Sequence, residues 1–236
     1  MTTPDSSEYK IIQNNSENLI VCFGGMVNGF LLSPPFEFLN YLSKTYTENV
    51  DLYFFVDKNQ SWYHKGIQGI GNNIDESALY IKNIMNKKNY KKTIFMGSSA
   101  GGYASILFGS LCNVSNVLAF IPRTRHEHRM TDPKYNSLKN VINNNTKYLL
   151  IGNTSITNKN DHHHISQCYE LENFKNVEII PLSGDLKYLR DSGGIKKILD
   201  NILASINRIK DIHIIHPYPW PLINQAMTNN NHNHLK

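Results

Sequence analysis

Cysteine is scarce in this chain: three in 236 residues (Cys22, Cys112 and Cys168), widely spaced and with no C-x-x-C. That excludes a disulfide framework and fits thiols that serve as small core residues in a reducing compartment. Long apolar runs are missing too, and none approaches the roughly 20 residues of a membrane span. The opening MTTPDSSEYK has no basic segment followed by an apolar one, so no secretory signal is expected. No G-x-G-x-x-G stands at a strand end and no Walker pattern occurs, so no cofactor is expected. His162-His163-His164 and His126-x-His128 lack the helical i, i+4 spacing or cysteine pairing of a zinc site, and no metal is expected. The net charge of +5 is dispersed. Its one dense run, Lys87-Lys88 and Lys91-Lys92, falls where a helix hands over to a strand, where lysines suit the helix dipole. With no recognised module behind it, that charge does not point to nucleic acid as a partner.

What is present centres on TIFMGSSAGGYASILF, Thr93 to Phe108. A short apolar β-prone run meets Gly97-Ser98-Ser99-Ala100-Gly101, and a segment with helical spacing follows. This is G-x-S-x-G in strand–turn–helix context, a nucleophile elbow. The turn forces Ser99 into a strained backbone conformation, and Gly97 and Gly101 give the clearance that two nearly touching backbones need. Ser99 Oγ is then expected at the top of a sheet, over the first amides of a helix, which favour developing negative charge.

The rest of the chain alternates strands and helices. Leu19 to Phe23 and Val50 to Val56 read as strands, the first apolar enough to be buried on both faces. Asn73 and Glu76 make a capping-box-like start for a helix through Met85. Strands follow at Val117 to Ile121, Tyr148 to Ile151 and Val177 to Leu182. Helices are expected over Phe36 to Tyr46 (opened by Pro34 and Pro35), Ile165 to Phe174 and Ile195 to Ile209, with a weak one after Pro133. This spacing predicts an α/β fold: a doubly wound, mostly parallel sheet of about six strands, without a large lid domain. Residues 1–18 read as a polar lead-in in which Tyr9 to Ile12 is an edge-strand candidate. Residues 19–210 form the domain, and 211–236 a Pro/aromatic tail ending in an Asn/His-rich stretch. In such a sheet, chemistry sits at the carboxyl ends of the strands.

With GSSAGGYASILFG at the elbow, FGGM after the first core strand and an acidic loop after Ile151, the chain resembles the α/β-hydrolase superfamily over Leu19 to Ile209. Through PPFEFLNYLS, WYHKGI and LKYLRDSG it is similar to small hydrolase-like proteins of giant viruses and polysaccharide-biosynthesis clusters. The resemblance implies a serine hydrolase or acyltransferase acting on a small-molecule or glycan-linked ester. Ser99 would be the nucleophile, and the amides of Ala100 and of Gly25 or Met26 the oxyanion donors. Asp161 would be the orienting acid. It also implies a cytoplasmic protein, or one of a host's cytoplasm or a virion if the chain is viral. Oligomeric state is left open.

The superfamily places its histidine after the last strand, where this chain reads Ser183-Gly-Asp-Leu-Lys-Tyr-Leu-Arg190 and has none. A serine without a base is a weak nucleophile. Three bases remain open: His162, His163 or His164 beside Asp161, of which His164 is the expected one, His64 after Val56, and Lys187 as the amine of a Ser–Lys pair. The fourth alternative is a catalytically degenerate fold used for binding or assembly. Trp62, Tyr63 and Arg123 are the expected substrate-contacting residues, with Arg125 and Arg129 nearby, and would suit a polar or anionic substrate such as an acylated glycan.

Overall fold

A computed structural model describes residues 8–26, 36–125 and 132–204. Seven strands form one sheet: β1 (Tyr9–Ile12), β2 (Asn18–Phe23), β3 (Asp51–Phe55), β4 (Lys92–Ser98), β5 (Asn116–Phe120), β6 (Lys147–Asn153) and β7 (Val177–Leu182). Their spatial order is β1-β3-β2-β4-β5-β6-β7. Six run parallel, and β1 pairs antiparallel with β3 at the edge. The edge-strand candidate Tyr9 to Ile12 thus belongs to the sheet, and the other six strands are those expected.

Two helical layers cover the sheet, as continuous apolar strands require. One carries α2 (Ile74–Asn86), α3 (Ala100–Cys112) and α4 (Ser166–Tyr169) against Phe23, Phe95, Val117 and Leu150. The other carries α1 (Leu39–Thr45), α5 (Leu186–Asp191) and α6 (Gly194–Leu203) against Ile20, Ile94, Met96 and Ile151. Residue parity along β4 therefore sends Phe95 to one layer and Met96 to the other.

The capping box at Asn73 and Glu76 forms: Asn73 Oδ1 accepts the Glu76 N–H at 2.8 Å, and Glu76 Oε1 accepts from Asn73 Nδ2 at 2.9 Å. Helix lengths differ from expectation. The segment from Ile165 to Phe174 is a single α-turn, after which Leu171 and Phe174 donate to the carbonyls three residues back in tight turns. The stretch after Pro133 holds two 3-10 turns, Pro133–Tyr135 and Leu138–Asn140. The loop after β7 contains a helix absent from the sequence reading, α5, capped by Asp185, whose Oδ1 accepts the Tyr188 N–H at 2.7 Å. Pro34, Pro35, His126, His128, Arg129 and the 211–236 tail lie outside the described residues, as does the 210/211 boundary. Among the described residues no segment forms a separate lid domain, and no helix is long and apolar enough to cross a membrane.

Candidate active site

The elbow is built as its glycines demand. Ser99 stands between β4 and α3 at φ 52° and ψ −114°, a strained conformation for a side-chain-bearing residue. Its N–H donates to Phe120 O at 3.0 Å and its carbonyl accepts the Tyr103 N–H at 3.0 Å, so both neighbours hold the turn. A Cβ on Gly97 would strike the Gly101 backbone and approach Phe23 O to 2.7 Å, and one on Gly101 would fall on that same Phe23 oxygen. The spacing of the motif is therefore a packing requirement between β2, β4 and α3.

Ser99 Oγ lies 2.8 Å from His163 Nε2. With Nε2 accepting the serine proton, the ring's own proton sits on Nδ1. Burial lowers the basicity of His163, the nearby Asp161 carboxylate opposes that shift, and His162 and Arg123 add to it. The net effect keeps the ring neutral around pH 7, the form that can take a proton. Asp161 Oδ1 accepts the His163 backbone N–H at 2.8 Å, an Asx turn that sets the path of the loop. Among the described residues no side-chain hydrogen bond joins the Asp161 carboxylate to the His163 ring, so Asp161 acts on it through charge and loop geometry.

The loop that carries this pair leaves β6 and is stitched back to it. Ile165 N donates to Asn153 O at 3.0 Å, and Ile165 packs where a Cβ on Gly152 would sit. Within the histidine run only the middle residue faces Ser99. His162 is exposed, and His164 Nδ1 accepts the Ser166 N–H at 3.0 Å at the start of α4. The base candidate of the run is thus His163, not His164, because successive residues in a turn project in different directions.

The other candidate bases are engaged elsewhere. His64 is buried with Nε2 2.9 Å from Tyr103 Oη, and its Nδ1 accepts the Asp132 N–H at 3.4 Å. Lys187 is exposed on α5 and pairs with Asp191 at 2.6 Å, one turn along the same helix. Tyr63 is also corrected. It is fully buried, and its hydroxyl donates to Gly24 O at 2.9 Å, so it supports the turn after β2 from within the core.

Trp62 is corrected for the same reason: it is 5% exposed and packs edge-on against Tyr103, and only Arg123, whose guanidinium lies 5.3 Å from the indole ring centroid, stays partly open. Arg123 follows β5 directly and is close enough to His163 to lower its basicity. Trp62 and Tyr63 both have positive φ (59° and 64°), a conformation imposed by Asp57, whose Oδ2 accepts the N–H groups of Ser61 and Tyr63 at 2.6 and 2.9 Å. Ala100 opens α3, where helix geometry leaves its N–H without an intrahelical acceptor. Gly25 and Met26 follow β2 on the adjacent turn, where a Cβ on Gly25 would lie 3.4 Å from Ser98 O.

Two residues passed unnoticed in the sequence. Asp57 sits at the end of an apolar strand, and a carboxylate before Ser-Trp-Tyr is a readable Asx-turn signal. Glu37 accepts the Ser98 hydroxyl proton at 2.7 Å through Oε1, and no local pattern announces that long-range contact. Among the described residues no cluster of three or more His, Cys, Asp or Glu side chains could hold a metal ion.

No protein-family model matches the sequence, and no curated protein matches it. Solved structures do match in shape. Esterase 2 of Thermogutta terrifontis, phosphoramylated by tabun, superposes with a TM-score of 0.57 at 13% identity, covering 82% of this chain and 89% of the esterase. The capsule O-acetyltransferase of Neisseria meningitidis serogroup A gives 0.58 at 16% identity, with 82% and 90% covered. MenH from S. aureus gives 0.54 at 12% identity, with 85% and 99% covered. With a parallel sheet, a strained serine elbow between β4 and α3, and these neighbours over most of its length, the chain has the α/β-hydrolase fold.

Proposed function

We propose that the protein is a serine hydrolase or acyltransferase acting on a small-molecule or glycan-linked ester. The observation that carries this reading is the 2.8 Å approach of His163 Nε2 to Ser99 Oγ on a strained elbow. His163 takes the Ser99 proton as Oγ attacks the ester carbonyl, and a tetrahedral oxyanion forms. Collapse expels the alcohol, which receives that proton from His163 and leaves an acyl-serine. Water or an acceptor hydroxyl then attacks, again giving its proton to His163, and Ser99 is released. Asp161 favours the transient imidazolium by its charge. The oxyanion meets the Ala100 N–H and one amide of the turn after β2, each donor worth about 3 kcal/mol in the transition state.

Arg123, partly exposed and held over the buried Trp62 ring, offers a cation that suits an anionic group on the substrate. The fold neighbours include both an esterase and an O-acetyltransferase, and both chemistries share the acyl-serine half-reaction.

Fluorophosphonate labelling across pH 6 to 9 tests the reading. Rapid labelling of the wild type that disappears in Ser99→Ala and falls steeply in His163→Ala is expected. Wild-type labelling no faster than that of Ser99→Ala would mean an inert serine and leave the fold as a binding or assembly module.

A further inference from the structure

Glu37 lies just before α1, in the layer opposite α3, and is joined to both sides of the site. Its Oε1 accepts from the hydroxyl of Ser98, the residue preceding the elbow serine, at 2.7 Å. The Gly25 N–H also donates to the carboxylate, and a Cβ on Gly25 would lie 3.9 Å from Oε2. The groups that act on Glu37 are these two donors, and burial pushes its carboxyl up. Cys22 from β2 and Tyr63 also face it, and neither carries a compensating positive charge. A largely desolvated carboxyl with two hydrogen-bond donors and, among the described residues, no cation acting on it is an expensive way to stabilise a fold. What those two bonds do is tie the strand leading to Ser99 to the turn after β2.

That arrangement distinguishes the two candidate amides of the turn. The Gly25 N–H is the backbone donor that acts on Glu37, whose Oε2 would lie 3.9 Å from a Cβ on Gly25. We propose that Glu37 is a positioning residue: it fixes the Gly24-Gly25-Met26 turn to Ser98, so that the Met26 N–H, not that of Gly25, joins the Ala100 N–H as the oxyanion donor. This inference rests on the acyl-transfer reading. Glu37 touches neither substrate nor reacting atoms; it acts through the backbone of the turn. Tyr63, fully buried, supports the same turn by its bond to Gly24 O, so the turn is held between that side chain and the half-buried Glu37.

The test compares wild type, Glu37→Ala and Glu37→Gln by p-nitrophenyl acetate turnover, and by the affinity of a short alkyl trifluoromethyl ketone, which forms a tetrahedral adduct with the serine. Losing the alignment of one oxyanion donor lowers kcat by about 10²-fold and weakens the adduct by a similar factor. KM should change little, because the donor acts on the tetrahedral species and not on the bound ester. Gln keeps one acceptor oxygen and should recover part of both losses. Circular dichroism and thermal melting identify a variant that fails to fold, in which case Glu37→Gln alone decides. An active wild type with undiminished kcat and adduct affinity in the variants overturns the proposal alone. So does a loss that raises KM as much as it lowers kcat, with no rescue by Gln. A wild type that neither turns over nor labels overturns the acyl-transfer reading and this inference with it.

Discussion

Two carboxylates, buried Asp51 and half-buried Glu37, sit at opposite edges of the same sheet and are treated in opposite ways. Asp51 opens β3 at the amino edge. Its Oδ2 accepts from Lys88 Nζ at 2.7 Å and Tyr90 Oη at 2.8 Å, and its Oδ1 accepts the N–H groups of Asn14 and Ser16 at 2.8 and 3.1 Å. Burial pushes its carboxyl up, but these bonds outweigh burial, and it stays below the ordinary aspartate range. Glu37, at the carboxyl edge, has two donors and, among the described residues, no cation acting on it, and its carboxyl is raised. The amino edge is satisfied and serves stability. The carboxyl edge keeps a strained serine, a half-buried neutral histidine and an undercompensated carboxyl together, as functional sites do.

The largest way to break that comparison is to remove the site. Ser99→Ala or His163→Ala should lower kcat by about 10³-fold or more, measured by ester turnover, while the melting temperature stays within a few degrees. Asp51→Ala should do the reverse. It leaves Lys88, Tyr90 and two backbone donors without their acceptor, and should lower unfolding free energy by about 3 kcal/mol in urea, with turnover per folded molecule unchanged.

A smaller effect follows from pH. Because the folded-state carboxyl of Asp51 is depressed, its stabilisation is present above the unfolded value of about 3.9 and is lost as pH falls through the folded value. The difference in stability between wild type and Asp51→Asn should therefore shrink in that acid window. At the other edge, the proposed mechanism makes neutral His163 the active form, and its basicity is lowered. Activity should persist to below about pH 6.5, where an unperturbed histidine would be half protonated. Removing the cation in Arg123→Gln should move the acid limb of kcat/KM upward, and removing the anion in Asp161→Asn should move it downward. Lys187→Ala should be the smallest change, within about twofold in rate, because an exposed i, i+4 ion pair is worth only tenths of a kcal/mol.

The six parallel strands, the capping box at Asn73 and Glu76 and the elbow were all legible in the chain, because each is written in local pattern: apolar runs, cap spacing, and small residues around a serine. Helix lengths were less so. The Ile165 to Phe174 segment has helical apolar spacing, yet Gln167 in its first turn is drawn out of a purely local role. Its side chain accepts the N–H groups of Thr124 and Arg125 at 3.0 Å. The cap that makes α5 from the loop after β7 is a single aspartate, Asp185, a weak local signal without a capping-box partner.

For the candidate site, the strained turn at Ser99 was legible in sequence, while which of His162, His163 and His164 comes to it was not. Three identical neighbours carry no local difference; the Asx turn at Asp161 and the return of Ile165 to β6 decide which ring reaches Ser99. The same division holds for Tyr63 and His64, whose aromatic and basic character suggested a substrate wall and a base. The turn imposed by Asp57 and the packing against Tyr103 place both in the core. Sequence alone determined the sheet, its two layers and the strained serine, since these depend on residue type within a few positions. Tertiary structure alone decided which histidine meets Ser99 and which carboxylate meets Ser98, since these depend on where two distant loops meet, 64 residues apart for Ser99 and His163 and 61 for Ser98 and Glu37.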